Sequence, residues 1–201
     1  MNIQVRVLSI DRVREKEELL LSYISDERRE KALGMLMEEK RLQEIGSAYF
    51  LKRYLPADLP LKYTRYHKPY MDGVFFNLSH SHSYVAFLLA DKECGIDMEK
   101  IRKHKERLVH YAFSQKESEN IHDDESFFSA WTRKEALSKA NGLGLIGNDI
   151  RSVPSMEGKV FYQDGIYQVK SVRYQDYFIS VALKAEEEIK NIGIIEEKIP
   201  M

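Results

Sequence analysis

One cysteine, Cys94, is all the sequence holds among 201 residues. An intramolecular disulfide is therefore excluded, and so is a zinc cluster built on several thiolates. Long hydrophobic runs are missing too. The apolar stretch Val85 to Ala90 is far too short to cross a bilayer, and the opening MNIQVRVLSI lacks the basic-then-apolar layout of a secretion signal. Neither sign of charge dominates: 31 Lys and Arg stand against 32 Asp and Glu, a net charge of −1. That balance argues against a general nucleic-acid binder, whose affinity comes from neutralising many phosphates. With 43% apolar and 31% charged residues, a compact fold is expected. The lone cysteine makes the cytoplasm the natural compartment. No membrane or nucleic-acid partner is expected, and a monomer is, because each half of the chain offers the other a partner.

What charge asymmetry exists is local. From Arg28 to Lys68 there are ten Lys or Arg against five Asp or Glu. A pocket for a small polyanion and a set of solvated basic helices both fit that excess.

Periodicity outlines the elements. Residues 2 to 9 alternate as a strand, and helical spacing follows through Leu19, Leu20, Tyr23 and Ile24. Ser25-Asp26 reads as the cap of a helix through Glu30 to Met37, with a further helix from about Glu38 to Leu55 before Pro56. Leu61 to Arg65, Val74 to Leu78, Tyr84 to Ala90 and Cys94 to Glu99 read as strands, the last two joined as a hairpin by Asp91-Lys92-Glu93. Helices near Glu106 to Phe113, Gln115 to Ile121 and Glu125 to Asn141 come next, the last stopped by Gly142. Strands at Lys159 to Gln163, Ile166 to Arg173 and Tyr177 to Leu183 follow, with Asp164-Gly165 as the first turn. Each half thus runs as a strand, helices, then a meander of strands, an order that the second half repeats from the first. The stretch from Ala185, with five acids against two Lys, reads as a frayed helix or loose end.

Three stretches carry candidate chemistry. In Gly95-Ile96-Asp97-Met98-Glu99 the strand period of two sends Ile96 and Met98 one way and both carboxylates the other. Two acids on one face suit a hard cation such as Mg²⁺, although the pattern alone is weak and more often marks a solvated strand face. In "FFSAWTRKEALSKANGLGL", Trp131, Glu135 and Lys139 fall at i, i+4 and i+8 on one side of a helix, with Lys134 flanking. The same spacing describes an ordinary Glu–Lys surface pair. In Ser79-His80-Ser81-His82, a zinc site needs a third ligand, His67 being nearest, and a hydrolase triad lacks a G-x-S-x-G elbow. A phosphate-binding turn is the better fit, beside plain capping of a strand end.

Taken together in order and spacing, Lys68-Pro69, "FNLSHS", "GIDMEKI" and "WTRKEALSKANGLGL", with "SDERREKA" at 25 to 32, resemble the 4′-phosphopantetheinyl transferase superfamily, of the surfactin-synthetase-activating (Sfp) type. The resemblance implies an α+β fold of two similar α/β halves in pseudo-twofold arrangement, each with an antiparallel-rich sheet packed by helices, and an active site in the cleft between them. The halves would be residues 1–92, with the nucleotide contacts, and 93–188, with the Mg²⁺ site, leaving 189–201 as a flexible tail. It implies transfer of the 4′-phosphopantetheine arm of coenzyme A to a serine of an acyl, peptidyl or aryl carrier protein, with release of adenosine 3′,5′-bisphosphate. Residue by residue, Asp97, Glu99 and Glu135 match the metal ligands, and Glu135 also the residue that takes the serine proton. Lys139 matches the lysine beside the diphosphate. Ser79, His80, Lys68, Arg28 and Lys31 match contacts to coenzyme A. Two departures stand out: His67 and His82 occupy positions where the family commonly has Gly, and His tolerates positive φ better than most non-Gly residues. A non-catalytic coenzyme A or nucleotide-binding regulatory module of the same fold is the alternative, separated by binding without turnover.

Overall fold

The computed structural model describes residues 1–163 and 165–200; the expected turn residue Asp164 lies outside them. The chain opens with strand β1 (Asn2–Ser9) and four helices, α1 (Ile10–Glu15), α2 (Glu17–Tyr23), α3 (Asp26–Leu33) and α4 (Glu38–Tyr54). Ser25 caps α3 by accepting from the Arg28 N–H. The short pair β2 (Lys62–Tyr63) and β3 (Pro69–Tyr70) precedes β4 (Phe75–Ser81), β5 (Tyr84–Ala90) and β6 (Cys94–Lys100). Helices α5 (Glu106–Ala112), α6 (Gln115–Ser118), α7 (Asp124–Ala140) and α8 (Gly144–Gly147) lead to β7 (Gly158–Tyr162), β8 (Gly165–Tyr174), β9 (Tyr177–Lys184) and β10 (Asn191–Glu196).

Two four-stranded sheets result, ordered β10-β1-β5-β4 and β6-β9-β8-β7. One face of the first packs on α4 through Phe76, Val85 and Phe87 against Leu42, Ile45 and Phe50. Its other face meets the second sheet, where Val5, Val7, Ala86 and Leu88 pack against Ile96, Met98, Ile179 and Val181. The far side of the second sheet is covered by α7, whose Phe127, Ala136, Leu137 and Ala140 join Val160, Tyr167 and Val169. Apolar residues on both faces of each sheet dictate this helix–sheet–sheet–helix stacking.

Several expectations need correction. The strands at 84–90 and 94–99 do not form a hairpin: β5 pairs with β4 and β1, while β6 pairs with β9. The link 91–93 instead carries the chain from one sheet to the other. The hairpin is β4–β5, turning at His82-Ser83, and His82 has φ 46°. Its neighbour in this respect, His67, has φ 62°, so both histidines hold the left-handed backbone that glycine otherwise supplies. The helix expected to reach Met37 ends at Leu33. The stretch from 185 is not a loose end either. β10 adds to β1 in parallel and completes the first sheet, and Ile189 and Ile192 are buried in the inter-sheet core. Beyond it the Glu197 carboxylate accepts from Tyr49, Tyr54 and Arg6.

Candidate active site

β6 delivers its residues as the strand period requires: Ile96 and Met98 are fully buried between the sheets, and Asp97 and Glu99 emerge on the side of α7. Gly95 lets the helix come this close. A Cβ there would stand 2.1 Å from the Ala136 carbonyl oxygen and 2.4 Å from the Ala140 nitrogen. The missing side chain therefore places the last two turns of α7 directly on the strand, and Glu135 and Lys139 with them.

Lys139 reaches into the strand. Its Nζ donates to Asp97 Oδ1 at 2.7 Å, to the Ile96 carbonyl at 3.1 Å and to Ser79 Oγ at 3.3 Å. Asp97 is 5% exposed, and its Oδ2 is buried without a hydrogen-bond partner among the described residues. Burial raises the Asp97 pKa, against the pull of Lys139. Glu135 is pushed up to about 8, first by burial and then by the negative charge of Asp97, with Glu99 adding to it. Lys139 is raised in turn, because Asp97 and Glu135 outweigh its own desolvation.

The first sheet contributes β4. Ser79 and His80 lie on this strand, not in the turn expected of them. Ser79 is buried and its hydroxyl is fully used: it donates to Asp97 Oδ1 at 2.9 Å and accepts from the Met98 N–H at 3.1 Å as well as from Lys139. His80 points to the opposite face and is exposed; its pKa is lowered, first by partial desolvation and then by Lys40 and Lys139. Glu99 accepts from Ser81 Oγ at 2.8 Å and from Arg102 at 3.0 Å.

The remaining expected residues surround this centre. Lys68 Nζ donates to the carbonyls of Lys139 at 2.6 Å and Cys94 at 3.2 Å, so it caps the end of α7 with a cation. Burial lowers its pKa. A cavity of about 220 Å³ opens beside it, lined by Thr64, Tyr70, Phe76, Glu93, Cys94 and Asn141 among others. Arg28 and Lys31 do not reach the carboxylates; both pair with Glu44 on α4, at 2.7 and 2.8 Å. Lys134 faces away. It is fully buried, bonded to Glu117 at 2.9 Å and to the carbonyls of Ile150 and Val153. Trp131 anchors the helix, stacked on Phe127 at 6.2 Å. Sequence reasoning missed Ser81, Arg102 and Lys40. For Ser81 the signal was present, since it lies two residues beyond Ser79 on the same strand face.

Among the described residues no three His, Cys, Asp or Glu side chains are gathered as a metal site. The carboxylates nevertheless fit a hard cation. Asp97 Oδ2 is a buried acceptor with no hydrogen-bond donor among the described residues, and the negative charge of Glu99 reaches both Asp97 and Glu135, raising each. All three are oxygen donors, the set Mg²⁺ prefers.

Comparison with known proteins points to one family. Residues 93–182 match the family model of the 4′-phosphopantetheinyl transferase superfamily. The 4′-phosphopantetheinyl transferase gsp of Aneurinibacillus migulanus is 29% identical over 148 residues, 69% of this chain and 59% of that protein. The 4′-phosphopantetheinyl transferase Sfp of Bacillus subtilis (strain 168) is 25% identical over 147 residues, 65% of this chain and 66% of that one. The 4′-phosphopantetheinyl transferase AcpT of Escherichia coli (strain K12) is 41% identical over 78 residues, 34% of this chain and 40% of its own. The chain thus covers less than two thirds of the length of these relatives.

Proposed function

We infer that this chain, which resembles the Sfp-type members of the 4′-phosphopantetheinyl transferase superfamily, transfers the 4′-phosphopantetheine arm of coenzyme A to a serine of an acyl, peptidyl or aryl carrier protein. The observation that carries this reading is the meeting of Asp97, Glu99, Glu135 and Lys139 at one strand edge, with a buried carboxylate oxygen left open.

In the reaction the serine oxygen forms a bond to the diphosphate phosphorus that bears the pantetheine arm. The bond from that phosphorus to the bridging oxygen breaks, and adenosine 3′,5′-bisphosphate leaves with the electron pair. A serine hydroxyl is a weak nucleophile until a base takes its proton. Glu135 is assigned that task, directly or through water: without a cation, burial and Asp97 favour its protonated form, and a cation beside it would favour the ionised form that can take the proton. Lys139, the cation beside the carboxylates, stabilises the charge gathering on the leaving oxygen. Asp97, Glu99 and Glu135 would hold Mg²⁺, which when bound supplies charge neutralisation to the diphosphate.

Coenzyme A contacts are assigned to Lys68, His80, Lys139, Arg28 and Lys31, with Ser79 acting from beneath. His80 is supported by its exposure beside Lys40. Arg28 and Lys31 would share their charge between Glu44 and the nucleotide. The reading includes two similar halves, 1–92 and 93–188, in pseudo-twofold arrangement about the cleft. It is supported by two four-stranded sheets, each backed by helices, that contribute β4 and β6 to the site. A monomer in the cytoplasm is part of the same proposal, in keeping with a single, buried cysteine.

The test is incubation with coenzyme A, Mg²⁺ and a panel of apo carrier proteins, followed by mass spectrometry of the carriers. A phosphopantetheine adduct on a carrier serine is expected. Coenzyme A binding with no adduct on any carrier would mark a regulatory module instead, and absence of both would end the reading altogether.

A further inference from the structure

β4 and β6 are edge strands of different sheets, and a row of side chains joins them where main-chain pairing would otherwise run. Asn77 Oδ1 accepts from the Ile96 N–H at 2.9 Å, Ser79 Oγ from Met98 at 3.1 Å, and Ser81 Oγ from Lys100 at 3.2 Å. The partners advance together, two residues at a step and always 19 apart, so the strands run parallel across this seam. All three side chains are buried or nearly so.

The two hydroxyls do a second thing that Asn77 does not. Ser79 donates its proton to Asp97 Oδ1 at 2.9 Å, and Ser81 donates to Glu99 Oε2 at 2.8 Å. A hydroxyl has one proton and two lone pairs. Accepting from a backbone N–H of β6 fixes the oxygen, and the single proton then goes to the carboxylate of the residue just before that N–H on the same strand. Each serine therefore orients one carboxylate from a support anchored to the backbone that carries it. Glu99 needs this more than Asp97. Its side chain is about a quarter exposed, 24%, and among the described residues its other hydrogen bond is to Arg102, itself 47% exposed.

We propose that Ser81 is a positioning residue, which through its hydroxyl aims Glu99 at the cation and, with Ser79 beside it, sets the spacing of the two β6 carboxylates. The inference rests on the proposed function, since it concerns the same cation. Hydrogen-bond partners behind metal ligands characteristically change affinity or activity by about 10- to 100-fold when removed.

The experiment compares Ser81→Thr with Ser81→Val in the full chain. The two replacements have the same shape and the same liking for strands, and differ by the hydroxyl alone. Mn²⁺ binding is read by electron paramagnetic resonance without coenzyme A, and turnover is read separately with Mg²⁺. Circular dichroism confirms folding, and Ser81→Ala replaces the valine variant if that one does not fold. Ser81→Thr is expected to bind Mn²⁺ within about threefold of the parent, and Ser81→Val about 10-fold more weakly, with kcat lowered and KM for coenzyme A unchanged. Equal Mn²⁺ affinity in the two variants, with the parent binding normally, would overturn the positioning role and leave the proposed function standing. A parent chain that binds no Mn²⁺ and transfers nothing would overturn both.

Discussion

The Lys139 ammonium lies 2.7 Å from Asp97 Oδ1, joining α7 to β6 through a pair that is almost wholly enclosed on the aspartate side. Removing one partner of such a pair strands the other charge, at a cost of about 3–5 kcal/mol, whereas removing both costs far less. Lys139→Met should accordingly destabilise the chain strongly, and Asp97→Asn combined with it should restore much of the loss. Urea denaturation of the two single variants and the double variant checks this; additive losses would show that the pair is not coupled.

Glu135 ties stability to pH, and under the proposed function cation binding as well. Its carboxyl is raised from 4.5 to about 8 in the fold, so the folded state favours the protonated form. Stability from this group is fully present below pH 4.5 and is lost as pH rises toward 8. A cation reverses the preference by favouring the ionised carboxylate. The rise in Tm on adding Mg²⁺ should therefore be larger at pH 8 than at pH 6, and the acidic limb of the transfer rate should move to lower pH as Mg²⁺ increases. Thermal melts across that range decide the point, and a shift that shrinks with rising pH would refute it.

Gly95 is needed for space, not for backbone freedom. Gly95→Ala puts a methyl group within 2.1 Å of the Ala136 carbonyl oxygen, so α7 must move off the strand. A loss of about 1–3 kcal/mol is expected, together with a fall in transfer larger than the loss of folded protein explains. Paired measurements of Tm and turnover would show it.

Lys134 lies only one residue from Glu135, yet its role is structural. It satisfies Glu117 and the carbonyls of Ile150 and Val153 from a fully buried position, so Lys134→Met should cost about 3 kcal/mol or more. Coenzyme A affinity of the protein that remains folded should be unchanged. A stable variant with abolished binding would contradict this assignment.

Much of the site was legible in the sequence because it follows from short periods. Alternation in Gly95-Ile96-Asp97-Met98-Glu99 separates core from carboxylates, the four-residue spacing of Trp131, Glu135 and Lys139 sets one helix face, and Gly142, at φ 80°, ends the helix near where it was expected. Strand pairing was not legible. A period of two says which side chains share a face but not which strand lies beside which, so β5 and β6 read as a hairpin although their partners lie elsewhere. β10 escaped notice because its partner β1 is nearly the whole chain away and its flanks are acidic. The basic excess of the first half was visible in outline only; Glu44, which draws Arg28 and Lys31 together, is one residue whose reach depends on the α3–α4 packing.

The measurement that bears most directly on the account is single-turnover transfer from coenzyme A to an apo carrier accepted by the parent protein, with Asp97→Ala and Glu135→Ala alongside it. Asp97→Ala loses stability by stranding Lys139, so transfer is normalised to the folded fraction read by circular dichroism. In the folded protein both variants should show transfer abolished, as expected if the carboxylates gathered at the edge of β6 perform the reaction. Near-parental rates in either variant would contradict that assignment.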